Sequence, residues 1–538
     1  MKNQDDVIYE VVQVGYGPVS EIMALMLARQ GHKVAILERW TERYPLPRAV
    51  CIDHEIYRVL CAIGLRDELP SVSHAAPPYR WFNAEWKELL SIDWSAESIS
   101  GGTEVNFVHQ PTMEAMFDTA VRRCPEIDIN LGWEAVHIKQ TPAYAEVTAK
   151  NVNSGETRTI RGRYLIGADG ANSKVREAIG SVQEDRGFEA DWLVIDLLPN
   201  EGVTLDVPEA AQYCNPSRPT TIVPAGVRDG RFYRRWEFMR MPGEPREELE
   251  TEAMAWKLLE PWVKPDQAVI VRHKVYTFRS LIAQTWRNKR LLIAGDAAHV
   301  MPPFMGQGMC AGLRDDWNLA WKLHLVLTGQ ADDSLLDTYQ VERKPHASDI
   351  VDLSMYLGKV ICVPDLELAA QRDQSFFDKT VAPPPAFPSL TDGMLDRHAS
   401  GAVRPHAGLL SPHGTVLFNG MKGRFDDLVK PGFILVVRNA AHIATILQSQ
   451  ATADLDRFKS MGGTVVYLAD HDDKSANAVV DLDGKFSSFM GKFDLASMLI
   501  RPDFYLYGST FEAGEIGDLL VRFADHLGCY GLRPAISD

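Results

Sequence analysis

The sequence predicts an α/β protein in three parts: a discontinuous, Rossmann-like nucleotide domain, an antiparallel-sheet domain inserted into it, and a small C-terminal α/β unit. Three observations carry this. The chain opens on a strand, glycine turn, helix and strand; two later apolar strands each run into a turn-forming segment; and the stretches between them are rich in Trp and Tyr with short alternating runs. At 538 residues the chain exceeds the size at which one core usually stops growing, so two or three packed units are expected.

From Val7 to Glu38 the segments VIYEVVQV, GYGPVS, EIMALMLARQ and HKVAILE form one βαβ unit. Both strands read as continuous apolar runs, which suits a parallel sheet buried on both faces, and Gly31 is placed to end the helix. Residues 76–104 and 187–279, with runs such as DWLVIDLL and RFYRRWEFM, read as antiparallel strands of a second layer. The segments GADGANSKVRE near 167 and AGDAAHVMPPFMGQG near 294 return the chain to the first domain, which therefore takes in residues 1–75, 105–186 and 280–360. A helical stretch from about Asp316 to Leu357 follows, and the proline-rich VAPPPAFPSL marks a linker over 361–399. Over 400–538, TVLFNG, FILVVR, GTVVYLA and DFYLYG alternate with helical runs such as EIGDLLVRFADHL, giving a separate α/β unit.

Composition narrows the function classes. With 46% hydrophobic and 24% charged residues the chain reads as an ordinary packed globular protein. A formal net charge of -16 opposes attraction to phosphate backbones, so no nucleic-acid partner is expected. Cys51, Cys61, Cys124, Cys214, Cys310, Cys362 and Cys529 form no CxxC and no metal-like spacing with histidine, so free thiols and no metal are expected. The polar start MKNQDD lacks the features of a signal peptide, and no apolar run is long enough to span a bilayer. A cytoplasmic location with no membrane partner is expected.

Three turns carry the chemistry. In the first, Gly15, Gly17 and Pro18 stand between strand and helix, with Glu38 and Arg39 at the end of the next strand. Backbone amides at a helix N-terminus favour a pyrophosphate, and a carboxylate about twenty residues on accepts from a ribose hydroxyl pair. Ser20 replaces the third glycine, so a slightly wider helix–strand approach is expected there. The second turn is Gly167-Ala168-Asp169-Gly170, with Ser173 as a helix cap and Arg176 beyond it. The third runs from Gly295 and Asp296 through Pro303, Gly306, Gly308 and Met309 into a helix holding Asp315, Asn318 and Trp321. Its amides form a fixed array able to stabilise negative charge developing on a ring, and Asp296 is free to bond a polyol chain.

In this order the three turns resemble the group A flavoprotein monooxygenases of the para-hydroxybenzoate hydroxylase fold, in particular its 3-(3-hydroxyphenyl)propionate, phenol and polyketide hydroxylases. The resemblance covers roughly residues 7 to 360, and the later region is similar to the thioredoxin-like extension of many members. It implies an FAD enzyme that uses NADH or NADPH and O2 to hydroxylate a small phenolic aromatic substrate. Gly15, Gly17 and Glu38 would hold the ADP half of FAD, while Arg48 and Gln110 would reach its phosphate and ribityl parts. Asp169 and Gly170 would serve flavin and nicotinamide, Asp296 the ribityl chain, Pro303 the flank of the isoalloxazine, and the amides around Gly308 and Met309 its N1 and O2 edge. In that family oxygen adds at the flavin C4a, and the hydroperoxide passes its distal oxygen to the ring, which demands a dry pocket.

A side chain that activates the phenol is expected in the second domain. His109, His273, Tyr213, Tyr233 and Tyr276 are candidates by region, and Arg218, Arg234 or Arg235 could pair with a substrate carboxylate. The sequence does not choose among them. Rival readings are an FAD-dependent dehydrogenase or halogenase, an NAD-dependent dehydrogenase, and a non-catalytic flavin-binding protein. The halogenase pattern WxWxIP is absent around Trp81 and Trp86, and an NAD enzyme leaves the second and third turns unexplained. With Cys529 as its only cysteine, the thioredoxin-like unit is expected to serve packing or homodimer formation rather than thiol chemistry.

Overall fold

The computed structural model describes residues 8–43, 48–382, 385–447, 452–470, 473 and 475–531. Three strands of its first sheet are the ones that lead into the three turns. The sheet order runs Arg287–Asn288, Leu291–Ile293, Thr157–Gly167, Ile8–Val14, Val34–Glu38, Ile127–Leu131, with a hairpin of Trp133–Gln140 and Ala145–Asn151 paired to Thr157–Gly167. Val12 pairs with Leu165 and Ala35, and Leu165 with Leu291, all in parallel register. Neighbouring parallel strands end on the same side, so turns some 130 to 280 residues apart in sequence open onto one edge. The pairing works because Val11, Val12, Val34, Ala35, Ile36 and Leu292 are fully buried, so the strands can be apolar on both faces.

The second sheet runs His299–Val300, Ala268–Ala283, Gln183–Pro199, Arg231–Met239, Thr220–Arg228, Ala211–Tyr213, Tyr79–Phe82, Glu88–Ile92. Its strands are antiparallel except where Ala211–Tyr213 meets Tyr79–Phe82. Alternation gives the sheet two unlike faces. Leu193, Ile195, Trp236 and Phe238 pack with Leu249, Ala255 and Leu259 of two short helices, while Val194, Asp196, Arg235 and Glu237 turn the other way, toward the first sheet. A three-stranded sheet of Cys51–Asp53, Val105–Val108 and Ser73–Ala75 bridges the two.

The expected single helical stretch is two helices, Gly308–Leu327 and Asp337–Ile361, joined by a turn at Asp333–Leu336. Within 361–399 a further helix forms over Leu366–Phe377, capped by Asp365, whose side chain accepts from Leu368 N. The proline run beyond it lies partly outside the described residues.

The C-terminal sheet runs Met421–Arg424, Thr415–Phe418, Ala478–Asp481, Thr464–Leu468, Ile434–Val437, Ser497–Ile500, Leu506–Thr510. One face has a core of its own, with Val416, Val436, Phe486 and Met498. On the other, Phe433, Leu435, Tyr507 and Phe523 join the core of the first domain through Trp321. Polar contacts strengthen this seam: Arg58 pairs with Asp426 at 2.7 Å, and Arg501 with Glu342 at 2.6 Å. Among the described residues no helix is long and apolar enough to cross a membrane.

Candidate active site

The first turn is built against the second. Gly15 has φ +104°, and a Cβ there would lie 2.3 Å from the carbonyl oxygen of Ala168. Only glycine allows both the backbone conformation and the approach. Tyr16 N donates to Glu38 Oε2 at 2.8 Å and Trp40 N donates to Oε1 at 2.9 Å, so the carboxylate braces the turn at the end of the second strand. Gly17 precedes the helix Pro18–Arg29, which has no side-chain cap, and a Cβ on Gly17 would meet nothing within 4 Å. That open space lies over unpaired first-turn amides.

Ser20 is fully buried and is hydrogen-bonded to the Gln13 side-chain amide at 2.5 Å. Its hydroxyl is thus matched by a polar group on the adjoining strand. Nothing in the chain pattern announced Gln13, because a lone polar residue in a buried strand is informative only once its partner is known.

Asp169 holds the second turn. Its Oδ2 accepts from Lys174 N at 2.7 Å and Val175 N at 3.3 Å, whereas its buried Oδ1 has no partner among the described residues. Burial pushes this carboxyl above its ordinary value. Ser173 Oγ accepts from Arg176 N at 3.0 Å, capping the next helix as expected. Arg176 then donates to Ala171 O at 2.7 Å and to Ala297 O at 3.0 Å, tying the second turn to the third.

The third turn is clamped by the helix that follows it. Asp315 Oδ2 accepts from Gly295 N at 3.0 Å and lies 2.7 Å from His299 Nε2, while Oδ1 accepts from Arg343 Nε at 3.0 Å. Burial would raise the Asp315 carboxyl, but His299 and Arg343 outweigh it and hold it below the usual range. Within Leu291–His299 only Asp296 is exposed, and it faces the cavity described next. Gly306 has φ +64°, and its Cβ position lies 2.4 Å from Cys51 Sγ, so the loop passes close under the three-stranded sheet.

The three turns and the sheet face enclose one cavity, about 1760 Å³ of empty space counted out to its mouth. Of the residues singled out from the sequence, Gly17, Pro18, Arg48, Gln110, Gly170, Asp296, Pro303, Gly306, Gly308 and Met309 line it. Gly15, Glu38, Asp169 and Gly295 do not; they support the turns from behind. Arg39 is exposed, its guanidinium 5.2 Å from the centre of the Trp40 ring. Gln110 Oε1 accepts from Arg48 N at 2.6 Å and Ala49 N at 2.5 Å, which fixes the segment leading into the strand Cys51–Asp53.

At the far end the wall changes character. Tyr79, Trp94, Phe107, Phe278 and Phe304 make it apolar, and Gln212, Thr221, Arg235, Glu237, Arg272 and Tyr276 supply its polar groups. Gln212 Oε1 accepts from Tyr79 Oη at 3.1 Å and from Thr221 Oγ1 at 2.7 Å. Asp196 bridges two cations, with Arg235 Nε at 2.7 Å and Arg272 Nη2 at 2.6 Å, and Arg272 Nη1 donates to Tyr276 Oη at 2.9 Å. Of the candidates by region, only Tyr276 and Arg235 reach the cavity. His109 is held by Thr112 and packs on Tyr233; His273 bonds Glu250 O; Tyr213 stacks on Trp86 and donates to Ala84 O. Arg218 is paired with Glu244, and Arg234 donates to Pro208 O. Glu237 and Gln212 were missed. The signal for Glu237 was present in RFYRRWEFM, where Trp236 and Phe238 mark the core face and Arg235 and Glu237 therefore share the other.

These features fit FAD: two uncapped helix N-termini border one chamber, space lies open at Gly17 and Gly170, and Asp296 is held out into it. The comparisons with known proteins agree. The FAD binding domain family matches residues 8–354, and the HcaD C-terminal domain family matches residues 408–526. A probable NADH-specific resorcinol 4-hydroxylase of Rhodococcus jostii strain RHA1 is 32% identical over 529 residues, 98% of this chain and 96% of the relative. A 3-(3-hydroxy-phenyl)propionate/3-hydroxycinnamic acid hydroxylase of Mycobacterium sp. strain JLS is 31% identical over 547 residues, 96% of this chain and 92% of its own. The crystal structure of the flavin-dependent monooxygenase PieE with FAD and substrate superposes with a TM-score of 0.76 at 20% identity, covering 97% of this chain and 99% of that one. Aklavinone-11 hydroxylase with FAD and aklavinone gives a TM-score of 0.75 at 22% identity, covering 98% and 100%. At those identities the structures show a shared fold.

Proposed function

The chain belongs to the FAD-dependent aromatic hydroxylases that carry this FAD binding domain, and on that premise we propose that it hydroxylates a small phenolic ring with NADH or NADPH and O2. One observation carries the reading: an amide-rich, phosphate-accepting end and an aromatic, hydrogen-bonding end share a single chamber. The Rhodococcus relative favours NADH as reductant and a dihydric phenol as substrate. The Mycobacterium relative favours a phenol bearing an acidic chain.

The geometry supports the following residue roles. We assign Gly15, Gly17, Pro18 and the amides after them to the pyrophosphate, with Glu38 and Arg39 on the adenosine side. Arg48 and Gln110 border the middle of the cofactor, with Asp169 and Gly170 in the second turn, which also serves the nicotinamide. Asp296, on the turn that Gly295 supports from behind, holds the polyol chain, and Pro303, Gly306, Gly308 and Met309 border the ring system. When bound, FAD supplies the redox chemistry, taking a hydride from the reduced nicotinamide and delivering one oxygen atom of O2 to the ring. The protein supplies position, charge and dryness. Amides at the start of Gly308–Leu327, aligned with that helix's dipole, stabilise negative charge on the neighbouring edge. Tyr79, Trp94, Phe107 and Phe304 exclude water from the reacting face, and Gln212 with Thr221 offers hydrogen bonds to ring substituents.

We divide the chain into an FAD domain of residues 1–75, 105–186 and 280–360, a substrate domain of 76–104 and 187–279, a connecting segment 361–399, and a thioredoxin-like domain of 400–538. Support for the last is the parallel pair Ile434–Val437 and Thr464–Leu468, followed by antiparallel Ser497–Ile500 and Leu506–Thr510 and a final helix Ile516–Gly528. Its lone Cys529 is exposed and unpaired, which supports a packing role. The test is direct: the purified protein should show a flavin spectrum and oxidise NADH faster when resorcinol or 3-(3-hydroxyphenyl)propionate is added, with a ring-hydroxylated product. A chain that takes up no flavin, or yields only peroxide with every phenol tried, overturns the proposal.

A further inference from the structure

Among the polar groups on the aromatic wall, one carboxylate is without a hydrogen bond to any described residue. Glu237 lies on Arg231–Met239 between Thr221 and Val194 of the flanking strands, both of which also line the chamber. Its nearest charged neighbour is Arg235 Nη1, 3.7 Å from Oε1, beyond hydrogen-bonding reach. Arg235 is engaged elsewhere, by Asp196 and by Arg48 O at 2.6 Å. The Glu237 side chain is 12% exposed, and that exposure is to the chamber. A carboxylate in this position is expensive to bury without a hydrogen bond, so the missing donor is best sought in the ligand.

We infer that Glu237 is the catalytic base that takes the proton of the substrate's ring hydroxyl. The inference rests on the phenol-hydroxylating reading above. In the step the phenolic O–H bond breaks, the proton passes to a Glu237 carboxylate oxygen, and the electron pair stays on the ring oxygen, so the ring becomes more electron-rich without any change of oxidation state. The groups around Glu237 suit this. Burial lifts its carboxyl above the ordinary value against the pull of Arg235 and Arg272, with Asp196 adding to the rise, which moves the base toward neutral pH. Tyr79 and Cys51 also line the chamber, both uncharged at neutral pH because burial pushes each upward. Arg272 Nε, buried with no hydrogen-bond partner among the described residues, is a spare donor on the same wall for the anion formed.

The experiment compares wild type, Glu237→Gln and Glu237→Asp, each as flavin-loaded protein, in NADH oxidation and product formation with resorcinol across pH 5 to 9. Wild type should lose kcat/KM at low pH as Glu237 protonates. Glu237→Gln should fall by about 10²- to 10⁴-fold and lose that acid limb, its residual rate rising with pH as the substrate ionises by itself. Glu237→Asp should recover part of the rate and keep the limb, which a merely structural role would not produce. Binding of 1,3-dimethoxybenzene, which has no proton to give, should be unchanged in Glu237→Gln, showing an intact chamber. Activity of Glu237→Gln within about twofold of wild type, with the same pH profile, overturns the inference; so does a Glu237→Asp variant whose profile has lost its acid limb, should the Gln variant not fold. Wild type inert toward every phenol instead overturns the functional reading and this inference with it.

Discussion

Arg501 sets its Nη2 2.6 Å from Glu342 Oε2, joining the C-terminal unit to the helix Asp337–Ile361 with both side chains buried. Lys322, Asn318 and Asp503 complete the cluster: Lys322 Nζ and Asn318 Nδ2 each donate to Glu342 Oε2 at 2.7 Å, and Arg501 Nη2 donates to Asp503 Oδ2 at 2.6 Å. Burial alone would raise the Glu342 carboxyl, but Arg501 and Lys322 hold it far below the ordinary range. Removing one partner strands a buried charge. Arg501→Met is therefore expected to cost about 3–5 kcal/mol, read as a lower urea midpoint. Wild type should unfold in one transition across both domains; a separate, unshifted transition for the C-terminal unit would contradict the coupling.

Gly15 and Gly17 should respond differently to the same change. A methyl group at Gly15 meets Ala168 O at 2.3 Å in a backbone of φ +104°, so Gly15→Ala should destabilise the apoprotein itself by about 1–3 kcal/mol. At Gly17 the methyl group meets no protein atom within 4 Å. Gly17→Ala should leave the thermal midpoint of flavin-free protein alone while weakening FAD by about tenfold or more, each tenfold being about 1.4 kcal/mol. Equal effects of the two substitutions on the apoprotein would show that the first turn is not packed as described.

Asp296 is exposed and holds no hydrogen bond within the described protein, so Asp296→Ala should not alter apoprotein stability. Its loss should appear in cofactor binding alone. A charged hydrogen bond contributes about 1.5–3 kcal/mol, which predicts an increase in the FAD dissociation constant of about 10- to 100-fold by flavin-fluorescence titration. Unchanged affinity would remove Asp296 from the cofactor site.

Asp316 is fully buried, and neither carboxyl oxygen has a hydrogen-bond partner among the described residues. Burial, then repulsion from Asp315, pushes its carboxyl well above the ordinary 3.8. The sign follows from proton counting: the folded state holds this proton more tightly, so the stability it confers is complete below pH 3.8 and is lost as pH rises toward the folded value. Asp316→Ala escapes that loss. Its stability relative to wild type should improve from pH 5 to pH 8, at no more than about 1.4 kcal/mol per pH unit within the window. Parallel urea midpoints for the two proteins across that range would refute the assignment.

Much of the site was legible because its turns are local devices. Gly15, Gly17, Gly306 and Asp296 announce themselves through glycine and acidic residues after apolar strands, and the alternation in RFYRRWEFM already separates Trp236 and Phe238 from Arg235 and Glu237. Backbone periodicity and turn preference are settled within a few residues, so they can be read along the chain. What escaped depends on partners brought together from afar. The Arg343 bond to Asp315, the Arg176 bond to Ala297, and the seam at Glu342 each need the folded arrangement before either member has meaning. Alternation puts Glu237 on the face away from Trp236 and Phe238, but that this face lines the chamber, while His109 is packed away on Tyr233, is settled only by the fold.

Sequence alone therefore determined the kinds of element and the chemistry of each turn, because strand, helix and turn preferences act between near neighbours. The tertiary structure decided which walls meet, which charges are matched, and that Glu237 faces the cavity with no hydrogen bond from the described residues, because those outcomes follow from burial and distance between residues that only the folded chain brings together.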